Sequence, residues 1–385
     1  MNDPAATLDE LRAAGLARRR RINDGSAGVR LVVEERALLA FASNDYLGLA
    51  ADPRVIEAMV DGARRYGAGA GASHLVSGHH RPHHELEERL ARFVGLPRAL
   101  LLSSGYAANL AVLSTLADAG SAIFADRLNH ASLNDGMLLS RARFHRYRHG
   151  DVEDLVRRLR QASGRTRIVV TDAVFSMDGD IAPLADLAAL CAHEGAWLVV
   201  DDAHGFGVLG PQGRGALTLL ENVGPQVVYM GTLGKAAGVC GAFVAAAPAV
   251  IELLVQRART YIYTTALPPA VAHALLTSLE ILEREDWRRD RLQALVTLLR
   301  ARVSDSGLDL LPSRTPIQPI VIGDAHAAVE FAAALERLGI FVPAIRPPTV
   351  ARGTARLRVS LSALHSEADV ERLTAALAKQ AGTRG

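Results

Sequence analysis

The chain has 385 residues and a formal net charge of +2; 49% of the residues are hydrophobic and 5% are aromatic. This length and composition predict a soluble α/β enzyme with a large buried core and exclude a disordered or fibrous protein. The small net charge gives no general field that would attract nucleic acid or an anionic membrane, so we expect neither as a partner.

The sequence lacks the features that would direct a protein to a membrane or an oxidising compartment. The first 21 residues have no apolar core of a signal peptide, and no apolar stretch reaches the roughly 18 residues that could span a bilayer. Cys191 and Cys240 lie in apolar surroundings and suit neither a disulfide framework nor a cysteine-based zinc site. We therefore expect a reducing, cytoplasmic location.

The predicted elements begin with an N-terminal segment, residues 1–44. Residues 1 to about 22 have the period of an amphipathic helix, and residues 28–42 predict short strands. The basic cluster Arg18 to Arg21 is either a solvated helix end or a contact for an anionic substrate or partner.

From about residue 45 the pattern alternates between helical segments and short apolar runs. Such runs between helices are typical of strands buried on both faces of a parallel sheet. We expect a large α/β domain over residues 45–283 and a smaller α+β domain over residues 284–385. The predicted strands are ALLLSSG, SAIFAD, TRIVVTDAVF, AWLVVDDA, QVVYMG and GAFVAAA in the large domain, and PIQPIVIG and ARLRVSLSAL in the small one.

Polar residues that directly follow these strands are the first candidates for a site, because ligands of open α/β sheets bind beyond the carboxyl ends of the strands. The candidates are SSGYAAN at 103–109, DRLNHAS at 126–132, SMDGD at 176–180, DDAHGFG at 201–207 and GTLGK at 231–235.

Lysine is nearly absent from the chain. Of the 43 basic residues only two are lysine, Lys235 and Lys379. Arginine stays protonated, whereas a lysine amine can lose its proton and form a Schiff base with a carbonyl. The retained lysine after a predicted strand therefore favours covalent chemistry at Lys235, with a surface charge as the alternative, whereas Lys379 lies in a polar C-terminal segment.

Three other patterns are weaker candidates for ligand sites. A Walker loop fails because Tyr229 occupies its first glycine position and Ala236 follows the lysine. GAGAGA at 67–72 follows a predicted helix rather than a strand, which argues against a dinucleotide fingerprint. His80 and His84 have the helical spacing of metal ligands, but polar surface at a helix start is favoured, so we predict no metal site.

The remaining polar residues match the requirements of pyridoxal 5'-phosphate (PLP). A carboxylate must keep the ring nitrogen of this cofactor protonated, and Asp201 ends a predicted strand, with a capping or turn role as the alternative. His204, three residues later, could reach the phenolic oxygen. The phosphate binds backbone amides at a helix start, which SSGYAANLA offers, and Thr232 supplies a hydroxyl near Lys235.

Seven motifs are spread over nearly the whole chain: SNDYLGL, SGYAAN, DRLNHASL, VFSMDGDIAPL, VVDDAHGFGVLG, GTLGKAAG and AIRPPTVARGTARLRVSLSALH. Together they resemble the α-oxoamine synthases, fold-type I PLP enzymes that condense an amino acid with an acyl thioester and release carbon dioxide. The resemblance implies a large domain of mainly parallel sheet flanked by helices, a smaller C-terminal domain, and a homodimer with its active site at the subunit interface. The C-terminal motifs are most similar to members that use L-alanine and a pimeloyl thioester, on CoA or a carrier protein, in biotin synthesis.

The resemblance also implies roles for residues at matching positions. Lys235 would bond covalently to the cofactor, Asp201 would face its ring nitrogen, and His130 would stack on its ring; these three would be the catalytic residues. Further cofactor contacts are implied for Gly105, Tyr106, Ser176, His204 and Thr232, and for Thr264 or Thr265 from the other subunit. Substrate contacts are implied for Arg18, Asn44, His130, Arg346 and Thr349.

Two alternatives stay open on this reasoning. One is a sister synthase that uses glycine with another acyl-CoA. The other is a non-catalytic partner subunit that keeps the fold as a binding scaffold. Such a subunit would not need an amine that can form a Schiff base, so Lys235 argues against it.

Overall fold

The computed structural model describes residues 3–13, 16–162, 164–304 and 306–382. The strands are β1 (Arg30–Val33), β2 (Arg36–Ala40), β3 (Arg98–Leu102), β4 (Ala122–Asp126), β5 (Arg143–Tyr147), β6 (Arg167–Asp172), β7 (Trp197–Asp201), β8 (Val227–Thr232), β9 (Ala242–Ala246), β10 (Asp309–Leu310), β11 (Ile317–Gly323), β12 (Ile340–Phe341), β13 (Ala344–Ile345) and β14 (Ala355–Ser360). The α-helices are α1 (Pro4–Ala13), α2 (Pro53–Tyr66), α3 (Arg81–Val94), α4 (Gly105–Leu116), α5 (Ala131–Ser140), α6 (Val152–Gln161), α7 (Leu184–Glu194), α8 (Pro248–Arg257), α9 (Arg259–Ile262), α10 (Pro269–Arg284), α11 (Trp287–Ser304), α12 (Ala325–Arg337) and α13 (Glu367–Gly382).

The chain divides into two compact units. The larger unit comprises Asp45–Ser176 and Asp180–Asp290. The smaller unit comprises Met1–Asn44, Met177–Gly179 and Arg291–Gly385.

The larger unit is built on a seven-stranded sheet with the strand order β3-β9-β8-β7-β6-β4-β5. The strands from β8 to β5 pair in parallel, whereas β9 pairs antiparallel with both β3 and β8. The apolar runs of the central strands are buried along their whole length, as in AIFAD of β4 and AFVAA of β9. The predicted sheet, mainly parallel and flanked by helices, is therefore confirmed.

Strand β5 was not predicted. Its sequence, RFHRY, contains no run of apolar residues, and most of its side chains are exposed or half-buried. It lies at the edge of the sheet and pairs only with β4 among the described strands. Edge strands commonly carry charged side chains, which discourage pairing with another chain.

The smaller unit contains two small sheets. In the first, β1 and β2 form an antiparallel hairpin, and β12 pairs in parallel with β2. The hairpin turn, Glu34 and Glu35, has φ angles of 52° and 62°, the positive values that a two-residue hairpin turn of type I′ requires. The second sheet has the order β10-β11-β14-β13, in which β11 and β14 are the predicted strands PIQPIVIG and ARLRVSLSAL.

The predicted helix over residues 1–22 is wrong in its second half. Helix α1 ends at Ala13, and residues 16–22 have no regular structure. In a helix only Arg18 and Arg21 of the four consecutive arginines would face each other, so a helix would bring together one pair of like charges. Outside a helix, Arg19 pairs with Glu34 at 2.5 Å and Arg21 pairs with Glu336 at 2.8 Å.

The two cysteines differ in accessibility, and both are free thiols. Cys191 is buried in α7, where burial raises the pKa of its thiol to about 12. Cys240 is exposed in the connection between β8 and β9, five residues after Lys235.

Candidate active site

The carboxyl ends of the parallel strands border a cavity of about 200 Å³ in the larger unit. Strand β6 ends at Asp172, β7 at Asp201 and β8 at Thr232, and all three residues line the cavity. Eight of the predicted site residues meet there: Gly105, Tyr106, His130, Ser176, Asp201, His204, Thr232 and Lys235.

Lys235 lies in the connection that follows β8 and takes part in a chain of hydrogen bonds. Its Nζ is 2.9 Å from Nε2 of His204, and Nδ1 of His204 is 2.6 Å from the hydroxyl of Tyr46. Tyr46 is fully buried, so it fixes the orientation of the imidazole. The chain gives the lysine amine a neighbour with which it can exchange a proton.

Gly238 holds the connection after Lys235 close to the preceding part of the unit. Its φ is +71°, and a Cβ atom there would lie 2.5 Å from the backbone of Leu49 and Ala50. Only glycine meets both conditions, since other residues rarely adopt this φ and would clash.

Asp201 is a buried carboxylate held by two donors. The side-chain amide of Asn109 donates to Oδ2 at 2.6 Å, and the backbone N–H of Ala203 donates to Oδ1 at 2.9 Å. Its exposed fraction is 4%. Among the described residues, no arginine or lysine forms an ion pair with Asp201. A buried carboxylate is costly without a positive partner, and the cavity beside it is where such a partner would bind.

His130 belongs to the same hydrogen-bond network as Asp201. The amide of Asn109 also donates to Oγ of Ser132 at 2.8 Å, and Oγ of Ser132 lies 2.7 Å from Nδ1 of His130. The backbone N–H of Ser132 donates to Nδ1 of His130 at 3.3 Å, so the neutral ring carries its proton on Nε2. Loss of hydration lowers the pKa of His130, with Asp201 opposing this effect and Lys235 adding to it.

Asp172 supports His130 from the adjacent strand end. Its Oδ2 accepts the backbone N–H of His130 at 2.7 Å. Burial raises the pKa of Asp172 well above its usual range, and the nearby charge of Asp201 raises it further. Both effects favour the neutral form of Asp172.

The N-terminus of α4 borders the cavity with Gly105 and Tyr106. Ser104 caps this helix by accepting the N–H of Ala107 at 3.1 Å. The amides of the first two helical residues have no partner within a helix, and helix N-termini attract anions. The hydroxyl of Thr232, which donates to the carbonyl of Gly241 at 3.2 Å, lies on the same cavity. This side of the cavity suits a phosphate.

Thr264 and Thr265 are not among the residues that line this cavity. Thr265 is exposed and forms an isolated bridge with Ser73, whereas Thr264 is half-buried.

The smaller unit holds the remaining predicted residues. Arg18, Arg346 and Thr349 line a cavity of about 390 Å³ together with Leu16 and the segment 344–348. The guanidinium of Arg346 donates to the carbonyl of Ala17 at 3.1 Å. The structure thus brings Arg18 together with Arg346 and Thr349, which lie more than three hundred positions later in the chain.

Asn44 of the smaller unit lies beside a buried arginine that the sequence reasoning missed. Both terminal nitrogens of Arg358 are 3.4 Å from Oδ1 of Asn44, and Nη1 also donates to Oγ of Ser360 at 2.7 Å. Arg358 lies within the quoted motif AIRPPTVARGTARLRVSLSALH, but its apolar neighbours on β14 gave no signal of function.

Four residues of the larger unit that shape the cavity network were also missed. Asp172 lies inside the predicted strand TRIVVTDAVF, which continues to Phe175, so its place at the end of β6 was not visible in the sequence. Asn109 lies four residues after Gly105, one helical turn away on the same side of α4. Ser132 and Tyr46 lie in the quoted segments DRLNHAS and SNDYLGL but were not singled out, since their contacts depend on the three-dimensional fold.

His149 links two carboxylates near the site. Its Nδ1 is 3.1 Å from Asp126 at the end of β4, and its Nε2 is 2.8 Å from Asp180 in the SMDGD segment. Although burial alone would lower it, the hydrogen bonds to Asp126 and Asp180 raise the pKa of His149 to about 10. At neutral pH the imidazolium of His149 therefore fixes the position of Asp180, four residues after Ser176.

We expect this pair of bonds to make stability fall as the pH rises. The pKa of His149 is about 10 in the folded chain and about 6.5 in an unfolded one. The contribution of His149 to the free energy of unfolding is complete below pH ~6.5. It decreases towards pH 10, by up to about 1.4 kcal/mol per pH unit. Urea unfolding measured from pH 6 to 10 should show this decline for the wild type and a flatter profile for His149→Gln.

Exposed His326 provides the control for this measurement, because His326→Gln should keep the wild-type slope. Equal slopes for His149→Gln and the wild type would contradict the role assigned to His149.

The site and the sheet together define a class of protein. PLP needs an amine that can bond to its aldehyde and a carboxylate for its ring nitrogen. The cavity offers Lys235, Asp201 and a helix N-terminus for the phosphate, on the sheet of a fold-type I PLP enzyme.

Comparisons with known proteins agree with this class. The model of the family described as aminotransferase class I and II matches residues 36–377. 8-amino-7-oxononanoate synthase of Nitrosomonas europaea is 58% identical over 378 residues, which are 97% of this chain and 98% of that protein. A lysine-to-alanine variant of serine palmitoyltransferase from S. paucimobilis, solved with a bound PLP–myriocin aldimine, has a TM-score of 0.92 and 30% identity over 99% of this chain and 96% of that chain. 8-amino-7-oxononanoate synthase from Francisella tularensis has a TM-score of 0.78 and 33% identity over 90% of this chain and 98% of that chain.

The chain belongs to the aminotransferase class I and II family and, within it, to the 8-amino-7-oxononanoate synthases. It is a PLP-dependent acyltransferase, and its cofactor is PLP. None of the described helices combines the length and the apolar character needed to cross a membrane.

Proposed function

We propose that the protein condenses L-alanine with a pimeloyl thioester to give 8-amino-7-oxononanoate, carbon dioxide and the free thiol, as a step of biotin synthesis in the cytoplasm. The observation that carries the proposal is the buried carboxylate of Asp201, which has no cationic partner among the described residues and borders the same cavity as Lys235. The names of the relatives support the choice of substrates.

The residues of the cavity fit PLP. Lys235 would hold it covalently, Asp201 would pair with its ring nitrogen, and His130 would cover one face of its ring. When bound, PLP withdraws electrons from the Cα of an attached amino acid. His204 and Ser176 would contact its phenolic oxygen, and Gly105, Tyr106 and Thr232 would hold its phosphate.

Asp201 would set the electronic character of the site. An ionised carboxylate at 4% exposure stabilises a proton on a ring nitrogen more strongly than a solvated carboxylate would, because water does not screen it. Asn109 and the N–H of Ala203 hold its two oxygens, so the charge is fixed in position. A fixed charge needs no reorganisation during the reaction.

Lys235 would move the protons of the reaction. Its amine, once released, would take the proton from Cα of alanine, which allows Cα to bond to the carbonyl carbon of the thioester as the thiolate leaves. After the carboxylate departs as carbon dioxide, a proton returns to the same carbon. His204, 2.9 Å from Nζ and supported by Tyr46, would receive or return the proton of the amine.

His130 would assist by orientation and polarisation. The backbone N–H of Ser132 donates to Nδ1, so the neutral ring offers a donor at Nε2 to a substrate carboxylate or a thioester oxygen. Asp172 holds the backbone of His130 at 2.7 Å, which fixes the position of the ring.

We assign the substrate contacts of the smaller unit to Asn44, Arg346, Thr349 and Arg18. Asn44 and Arg346 would bind the carboxylate of the amino acid, and Thr349 would contact substrate in the same loop. Arg18, which lines one cavity with Arg346 and Thr349, would contact the acyl substrate. A guanidinium suits a carboxylate because it can donate two parallel hydrogen bonds.

We further propose a homodimer with the active site at the subunit interface. Thr264 or Thr265 would contact the phosphate of the partner subunit. Their location outside the cavity of their own chain supports this assignment, as does the exposure of Thr265.

The decisive experiment gives purified holoenzyme L-alanine and then pimeloyl-CoA, with product mass and the cofactor spectrum as readouts. We expect a spectral response to alanine and formation of 8-amino-7-oxononanoate. Parallel assays with glycine or serine, and with acetyl-CoA or succinyl-CoA, test the sister synthases. Preferred turnover of glycine with another acyl-CoA would contradict the substrate assignment, and no response to any amino acid would contradict the enzymatic function.

A further inference from the structure

Histidines are concentrated in one short segment of the larger unit. Five of the 13 histidines lie between residues 74 and 84. In this segment, nitrogen atoms of His74, His79 and His83 lie within 4.8 Å of one another. The pair predicted from helical spacing, His80 and His84, is not part of this group. None of these residues lines the PLP cavity, so the group is separate from the proposed chemistry.

A turn of π-helix brings the first two histidines together. The turn runs over His74–Gly78 and is closed by the N–H of Gly78, which donates to the carbonyl of Ser73 at 2.9 Å. A Cβ atom on Gly78 would lie 2.0 Å from the carbonyl oxygen of Ala72, so only glycine allows this geometry. As a result, Nδ1 of His74 is 2.9 Å from Nδ1 of His79. Single π turns occur frequently at functional sites.

The start of α3 positions the third histidine. Nε2 of His83 is 2.7 Å from the carbonyl oxygen of Leu267, to which it donates, so the lone pair of this ring is on Nδ1. A histidine that binds metal commonly donates its other N–H to a backbone carbonyl. Nδ1 of His83 accepts the N–H of His80 at 2.9 Å, and a metal ion would replace that bond.

We propose that His74, His79 and His83 bind one late first-row divalent metal ion, with Zn²⁺ as the physiological candidate. Imidazole ligands suit zinc, and three histidines with a water molecule form a tetrahedral set. Tetrahedral zinc at about 2.1 Å from each nitrogen separates its ligands by about 3.4 Å. His74 and His79, at 2.9 Å, would need to move apart only slightly. His79 is exposed, which gives the ion a path of entry.

Bound metal would tie the π turn to α3. Ser73, directly before the turn, forms the bridge with Thr265. The ion would thus stiffen the segment that supports this threonine.

The test is a zinc titration of the tag-free holoenzyme by calorimetry, followed by Co²⁺ loading to record ligand-field absorption. We expect one ion per chain, and at least about a 10-fold loss of affinity in His79→Ala and in His74→Ala. His84→Ala is the matched control and should keep the wild-type affinity, because His84 lies outside the group and pairs with Glu88. Because His79 is exposed, His79→Ala can decide the matter even if His74→Ala does not fold.

Three results would overturn the proposal. The first is the absence of saturable zinc binding. The second is wild-type affinity in His79→Ala. The third is loss of binding in His84→Ala, which would move the ion to the alternative set of His79, His84 and Glu87.

Discussion

Replacement of Lys235 by alanine is expected to lower turnover at least about 10³-fold, because the variant loses both the covalent attachment of the cofactor and the base. Turnover of alanine and pimeloyl-CoA, followed by product mass, is the measurement. The cofactor spectrum should also lose the signature of a lysine-bound cofactor. Because Lys235 is half-buried and its backbone geometry depends on Gly238, the variant should still fold.

Two further lysine variants separate chemistry from charge. Lys235→Arg keeps the positive charge but cannot act as an amine nucleophile, so it should be as inactive as Lys235→Ala. Lys379→Ala removes the only other lysine, which is exposed on α13, and should leave turnover unchanged. A small primary amine added to Lys235→Ala should restore part of the proton transfer. Normal turnover in Lys235→Arg would refute the covalent role.

Asp201→Asn is the second change for which we expect a large effect. The amide has the shape of the carboxylate, but its single oxygen can accept from only one of the two donors, Asn109 or Ala203, and it cannot stabilise a protonated ring nitrogen. We expect kcat to fall at least about 10²-fold, since a charge fixed in a buried site acts mainly on the transition state. Steady-state kinetics at saturating PLP separates this effect from loss of the cofactor.

Asp172→Asn is the matched control, on the neighbouring strand end of the same cavity. Burial and the charge of Asp201 raise the pKa of Asp172, so the substitution removes little charge at neutral pH. An amide oxygen can still accept the N–H of His130. We expect less than about a 10-fold change in kcat. Equal losses in the two variants would mean that shape, and not the charge of Asp201, is what the site needs.

The fold could be predicted from the sequence wherever a strand is buried on both faces, because such a strand consists of a run of apolar residues. The central strands are enclosed on both faces, so AIFAD and AFVAA read as strands without any alignment. At the sheet edge this signal disappears, and RFHRY of β5 was missed. The helical period of the sequence gave a wrong prediction at residues 16–22, where Arg19 and Arg21 form ion pairs with Glu34 and Glu336 outside a helix.

The candidate site was predictable to the extent that chemistry follows strand ends. Asp201 and Lys235 each follow an apolar run, and the parallel arrangement brings such positions to one edge of the sheet. The residues that orient these side chains could not be predicted in this way. Asn109 forms a hydrogen bond with Asp201, and Tyr46 forms one with His204. These distances arise from the packing of segments far apart in the chain.

The unequal exposure of the two cysteines makes the protein suitable for spectroscopy without mutation. A maleimide fluorophore should label Cys240 alone, because Cys191 is buried and the pKa of its thiol is about 12. The dye would be attached five residues from Lys235, in the same connection between β8 and β9. Its emission would therefore report when the cofactor and each substrate bind, in real time and on the native sequence.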